Sequence, residues 1–201
     1  MPSPLSPVLT AGVRAHNRLR DATAPRSPDV SVTSPSTLPV ETLATLAERG
    51  SVGGVHVPRS RRFYRWRYDR PDRAYEAFLA RRDGDPVAAV VATQGDGDGR
   101  VLEFVPRTDK DPAVASALLG AVVHRYDEAS LLTTLADDVD PSVLRARGFY
   151  SGRRWPLSRV VGKRHFVVRP FGPGDPDWHL QALDVRRPEN WTLGFGDFDV
   201  Y

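Results

Sequence analysis

The sequence predicts an α/β (α+β) domain built on a mixed, mostly antiparallel sheet flanked by helices. Three observations carry that expectation. Ala74 to Arg82 and Pro86 to Thr93 are two strand-like runs joined across Gly84-Asp85, and together they read as a β-hairpin. Val101 to Phe149 then alternates strand, helix, strand and helix, the last stopping at Arg147-Gly148-Phe149. Composition adds the third: with 26% charged and 40% hydrophobic residues, a 201-residue chain has room for one ordinary domain and its tails.

Residues 1 to 36 are rich in Pro, Ser and Thr, lack a sustained apolar period and end in Ser34-Pro35-Ser36. They read as a flexible tail or linker, which leaves residues 37–201 as the domain. A first helix is expected from about Pro39 to Arg49, with Val40, Leu43, Leu46 and Ala47 on one face and Gly50 as its stop. After the hairpin, Gly95-Asp96-Gly97-Asp98-Gly99 is a polar turn into the strand Val101–Val105. The main helix is expected from Pro112 to about Tyr126, capped by Asp111, with Val114, Leu118, Leu119, Val122 and Val123 buried. A strand near Ser130 to Leu135 and a short helix follow. Trp155 to Val161 and His165 to Phe171 read as two further strands. The tail from Gly172 onward is punctuated by Pro and Gly, yet carries enough aromatic surface that it is expected to pack on the sheet.

Several function classes drop out. Without cysteine there is no disulfide framework, thiolate metal site or cysteine nucleophile. No apolar run approaches the roughly 20 residues of a membrane-spanning helix. The opening Met1-Pro2-Ser3-Pro4-Leu5 lacks the charged head and apolar middle of a signal peptide, so a cytoplasmic location is expected. His16, His56, His124, His165 and His179 are scattered, and Asp137, Asp138 and Asp140 before Pro141 read as a cap and loop, so no metal is expected. There is no Gly-x-Ser-x-Gly, Walker loop or dinucleotide fingerprint. A net charge of +3 does not by itself argue for nucleic acid, although every basic residue except Lys110 and Lys163 is arginine.

Arg59 to Arg73 interleaves seven arginines with Phe63, Tyr64, Trp66 and Tyr68. Three readings are open for it: a helix with an aromatic core face and solvated arginines, a single-stranded nucleic-acid platform, or the lining of a substrate pocket.

The order hairpin, central strand, helix, strand, Gly-Phe helix and final strands resembles the GNAT N-acetyltransferase superfamily over roughly residues 60 to 171. The phrases Phe63-Tyr64-Arg65-Trp66-Arg67-Tyr68 and Leu79-Ala80-Arg81-Arg82-Asp83-Gly84, with Asn190-Trp191 and Gly196-Asp197, are similar to the diverged C-terminal half of tandem-GNAT-like proteins. The resemblance implies acetyl-CoA as co-substrate, held by the backbone near Val105 and by Arg107 and Thr108. It also implies Glu103 as general base, and Tyr64, Trp66, Arg67 and Tyr68 as the lining of a pocket for a small amine.

The chain departs from that pattern where phosphate would sit. GNAT enzymes carry Arg/Gln-x-x-Gly-x-Gly/Ala at the turn into the main helix. The run in this chain is Arg107-Thr108-Asp109-Lys110-Asp111-Pro112. Lys110 adds a Cβ where backbone must approach the ligand, Pro112 has no N–H to donate, and Asp109 and Asp111 bring carboxylates to a pyrophosphate site. Many GNAT enzymes have an acid Tyr where this chain has Leu144, which has no proton to give. Glu103 itself has two readings. It is a buried base on the same side of the strand as Val101 and Val105, or a carboxylate paired with an arginine of the adjacent hairpin.

The resulting expectation is a diverged GNAT-like domain serving as the second half of an N-acyltransferase. A non-catalytic scaffold or interaction domain is the alternative, and a nucleic-acid-binding module the weaker third. The expected partner is a second GNAT domain or a second copy of the chain. Tyr64, Trp66 and Trp191 are the candidate surface it would cover.

Overall fold

The computed structural model describes residues 19–20, 24, 28–50, 52–71, 73–95, 97–108, 111–129, 131–135, 139–155, 157–159 and 177–198. At its centre is the hairpin of β2 (Tyr75–Arg82) and β3 (Asp85–Gly95), closed by Asp83 and Gly84. Both turn residues have positive φ, 53° and 88°, as a two-residue turn matching the twist of its strands requires. β4 (Asp98–Val105) pairs antiparallel with β3.

The strand β1 (Ser31–Thr33) pairs antiparallel with Leu79–Arg81 at the edge of β2. The sheet therefore begins inside the segment 1–36 that reads as linker. Three residues are too few to show an alternation in the sequence, but Val30 and Val32 pack against the core.

Of the four pairings in the main sheet, only the last is parallel. β4 leads through α3 (Pro112–Arg125) into β5 (Leu131–Thr133), which lies parallel to β4 and completes a five-stranded sheet in the order β1-β2-β3-β4-β5. Such a parallel step needs a long crossover, and the helix supplies it. The mixed, mostly antiparallel architecture is the one expected. Asp111 caps α3 by accepting the Ala113 N–H at 2.8 Å, with Pro112 in the first turn. Val114, Leu118, Leu119 and Val122 are buried on the sheet, with Ala115 and Ser116, while Val123 is only partly covered. The short α4 (Pro141–Ala146) is capped by Asp140 and stops at Arg147-Gly148, where the Phe149 N–H bonds back to the Leu144 carbonyl.

The other face is covered by α1 (Val40–Arg49) and α2 (Arg61–Tyr68). Leu43, Ala44 and Leu46 of α1 and Phe63, Tyr64 and Tyr68 of α2 join Leu79, Ala89, Val91, Leu102, Val105 and Phe195 in one cluster. Ser60 caps α2 by accepting the Phe63 N–H at 3.2 Å. Leu157–Arg159 forms a single 3-10 turn, not the strand expected from Trp155. Pro156, Val160 and Val161 of that segment lie outside the described residues. The strand expected over His165–Phe171 lies outside the described residues, as do Asp109 and Lys110. A small hairpin, β6 (His179–Leu180) and β7 (Leu183–Asp184), precedes the last segment.

That last segment returns to the domain. Val55 and Trp191 form a parallel bridge, in which the Val55 N–H donates to Asn190 and the Thr192 N–H to Val55. Residues 195–197 make a 3-10 turn that packs on β4, with Phe195 buried in the α1/α2 cluster. Among the described residues, no helix is long and apolar enough to cross a membrane.

Candidate functional site

Glu103 sits where a β-bulge re-aims the central strand. Val91 pairs with Glu103 but Ala92 pairs with Val101, so Leu102 is an extra residue in β4. The consequence is visible in the packing. Val101 and Phe104 belong to the cluster under α3, whereas Leu102 and Val105 belong to the cluster under α1 and α2. Glu103 shares a side with Val105, as expected, but not with Val101. The bulge breaks the strict alternation on which that part of the expectation rests.

The carboxylate of Glu103 is closed in on all sides, its side chain only 1% exposed. Arg59 Nε donates to Oε1 at 2.8 Å, and the Tyr68 hydroxyl donates to Oε2 at 3.2 Å. The arginine partner comes from the segment before α2 and not from the hairpin. Arg59 then turns its outer fork onto the tail. Its two terminal nitrogens donate to the two oxygens of Asp197 at 2.6 and 2.7 Å, a bidentate pair, and one also donates to the Val57 carbonyl. Asp197 in turn accepts the Gly194 N–H at 2.7 Å.

Arg67 binds the same tail through its backbone, donating to the Gly196 carbonyl at 2.9 Å and the Phe198 carbonyl at 2.7 Å. Gly196 permits the close approach. A Cβ there would lie 2.6 Å from Glu103 Oε2 and collide with the Tyr68 hydroxyl. Residues 194–198 are thus a strap held over the central carboxylate by two arginines.

The electrostatics follow from burial. Desolvation pushes the Glu103 carboxyl above its ordinary value, against the pull of Arg59 and Arg107. Desolvation also pushes the Tyr64 and Tyr68 hydroxyls up, and the Glu103 charge adds to it. For Arg59 burial acts downward, but the Asp197 hydrogen bonds and the Glu103 charge outweigh it and hold the guanidinium above its ordinary value.

The residues that the resemblance gives to acetyl-CoA are turned inward or engaged. Val105 is 1% exposed and part of the core. The Arg107 side chain is 5% exposed and directed at Asp197, 3.6 Å from its Oδ2. Thr108 is half-buried beside Gly50 at the end of α1. The N-terminus of α3 is occupied by Asp111, whose second oxygen takes a 3.0 Å bond from Arg82. These contacts hold the Asp111 carboxyl below its usual range. Behind that terminus lies a cleft of about 170 Å³ with Val87, Phe104, Val114 and Leu118 on its walls and the Arg82–Asp111 pair at its rim.

Of the expected amine-pocket residues, the structure brings Arg67 and Tyr68 to the Glu103 cluster, with Tyr64 fully buried beside them. Trp66 points the other way and is 71% exposed. The expected covered surface of Tyr64, Trp66 and Trp191 is therefore split. Tyr64 is core, and Trp191 is half-buried with its indole N–H on the Val185 carbonyl. Within the Arg59–Arg73 run, Arg61–Tyr68 is a helix with an aromatic core face, but only some of the arginines are solvated: Arg59 and Arg67 are buried, Arg61, Arg62 and Arg65 exposed. Leu144 is a core residue under α3, and Tyr150 is exposed.

Arg59 and Asp197 are the two members of the site that the sequence does not single out. Asp197 lies in the Gly196-Asp197 phrase of the tail, where a carboxylate directly after a glycine in an aromatic stretch is the available signal. No family model matches the chain, and no curated protein matches it significantly. Among the described residues, no group of three or more histidine, aspartate or glutamate side chains is placed to hold a metal.

Proposed function

We propose that this chain is a diverged, non-catalytic domain of GNAT-like architecture, serving as the second half of an N-acyltransferase that acts on a small amine. One observation carries the reading. The central-strand carboxylate that would act as base has both oxygens engaged by Arg59 and Tyr68 and is sealed by Gly196. A general base must reach the proton it removes, directly or through one water. Glu103 in this arrangement anchors Arg59, which in turn holds the strap.

The phosphate side supports the same reading. A CoA pyrophosphate needs free N–H groups and positive potential at the helix start. Asp111 consumes one of those N–H groups and places a carboxylate there, and Pro112 lacks another. The large exposed rings of Trp66 and Trp155 fit a domain whose surface is completed by a second protein.

The test is a calorimetric titration of the purified chain with acetyl-CoA. The expected result is no binding heat up to millimolar ligand. Micromolar binding, or acetyl transfer to an amine that Glu103→Gln abolishes, would overturn the reading. Static light scattering and co-purification address the partner: a second copy or an acyltransferase domain should be recovered, and substitution of Trp66 by Ala should weaken the association.

A further inference from the structure

We propose that the cleft behind the N-terminus of α3 binds one small uncharged molecule, with an alkyl or aromatic body and a single hydroxyl or amide head. The inference goes beyond the scaffold reading and does not rest on it. The cleft of about 170 Å³ lies between α3 and the strands β3 and β4. Small side chains on both walls, Ala88 of β3 and Ala115 of α3, leave the space open. Phe104 and Leu118 are buried along its inner side, while Val87 and Ala88 are half-buried. Protein interiors seldom leave a void larger than a water molecule. An apolar cavity of about 150 Å³ stays dry and takes up benzene, so this cleft has room for a six-membered ring with a short arm. It is separate from the residues that the resemblance gives to acetyl-CoA at the loop, because Arg107 and Thr108 are not among its lining residues.

The rim selects the head group. Arg82 and Asp111 are the exposed members of the lining, and Arg82 donates to Asp111 at 3.0 Å and to Asp29 at 2.8 Å. One guanidinium therefore stands between two carboxylates. An anionic head would be repelled by both carboxylates, and an ammonium head would have to compete with Arg82 for them. A hydroxyl or amide both donates and accepts, so it can meet Asp111 and Arg82 without displacing either. The body leaves water for a hydrocarbon wall, which supplies the driving force.

Methyl-resolved NMR titration of the full chain with benzyl alcohol tests this. Saturable shifts should appear at the Val87, Val114 and Leu118 methyl groups, while those of Leu43 and Leu46 in α1 stay in place. Benzoate and benzylamine share the body but carry a charge, and should bind about tenfold more weakly or worse. Ala115→Leu fills the cleft and should weaken binding of benzyl alcohol by about tenfold or more. Shifts that do not saturate, shifts equally large at Leu43 and Leu46, or an unchanged affinity in Ala115→Leu would overturn the proposal. Benzoate binding as tightly as the alcohol would overturn the assignment of the head. Should Ala115→Leu not fold, Ala88→Val narrows the cleft from the other wall and decides by the same loss. Acetyl-CoA does not enter the titration, so the scaffold reading stands or falls separately.

Discussion

Beneath α3 the sheet is covered almost entirely by hydrocarbon: Phe78, Val90, Val101 and Phe104 meet Val114, Leu118, Leu119 and Val122, and the buried Arg147 bonds to Ser116. On the opposite face a comparable apolar cluster surrounds Glu103, Arg59, Tyr68 and the incoming Asp197. The first face is closed by elements near one another in sequence, the helix and the strands it connects. The second is closed by a pair 138 residues apart, Arg59 and Asp197. Hydrocarbon burial is non-directional and tolerates a misplaced neighbour. A buried ion pair is satisfied in one geometry only, and is strongly unfavourable when half of it is missing. The second face therefore fixes where the tail goes.

The comparison can be broken most severely at Asp197. Asp197→Ala leaves the buried Arg59 and Arg107 with only the Glu103 carboxylate between them and should destabilise the domain by about 3–5 kcal/mol in urea unfolding. A loss below about 1 kcal/mol would mean that the strap is peripheral. Leu118→Ala under α3 should cost about 2–5 kcal/mol by removing packed methyl groups. This substitution removes no titrating group, so the loss should not change with pH. Gly196→Ala forces a methyl group against Glu103 and Tyr68, and should cost about 1–3 kcal/mol by overpacking. At the rim, Asp111→Ala removes a helix cap and should cost about 1 kcal/mol.

The smallest expected effect is the most specific. A carboxyl whose folded-state value is raised favours folding in its protonated form. For Glu103 that contribution is complete below 4.5, the ordinary value, and is lost as pH rises through the folded one. Glu103→Gln should therefore gain stability relative to wild type as pH increases above that value. Asp111 and Asp140, held low, act in the opposite sense, and the difference between variant and wild type cancels them. A difference independent of pH would contradict the buried, raised carboxyl.

The face under α3 was largely legible in the sequence. Its helix carries an apolar stripe, an Asp-Pro start and a positively charged end, and these local signals agree with the packing. The hairpin was legible for the same reason, although its turn is Asp83-Gly84 and not one residue later. The other face was legible only as helices. That Glu103 would be buried follows from a carboxylate in an apolar strand. Its partners do not, because Arg59 stands in a run of seven arginines for which three readings are open and Asp197 is supplied from the far end of the chain. The bulge at Leu102 is set by pairing with β3, and no residue of β4 announces it. β1 is three residues in a segment whose composition reads as linker.

The claim that the strap is closed over Glu103 is tested most directly by native-state hydrogen exchange at the strap amides. Gly194, Asp197 and Phe198 donate to Asp197 Oδ2, the Gly194 carbonyl and the Phe195 carbonyl in turn. If the two arginines hold the strap as described, these amides should exchange far more slowly than those of the exposed turn at Gln181, and Asp197→Ala should release the remaining two together. Exchange at Gly194, Asp197 and Phe198 as fast as at Gln181 in the wild-type chain would mean that Glu103 stands open, and would contradict the account.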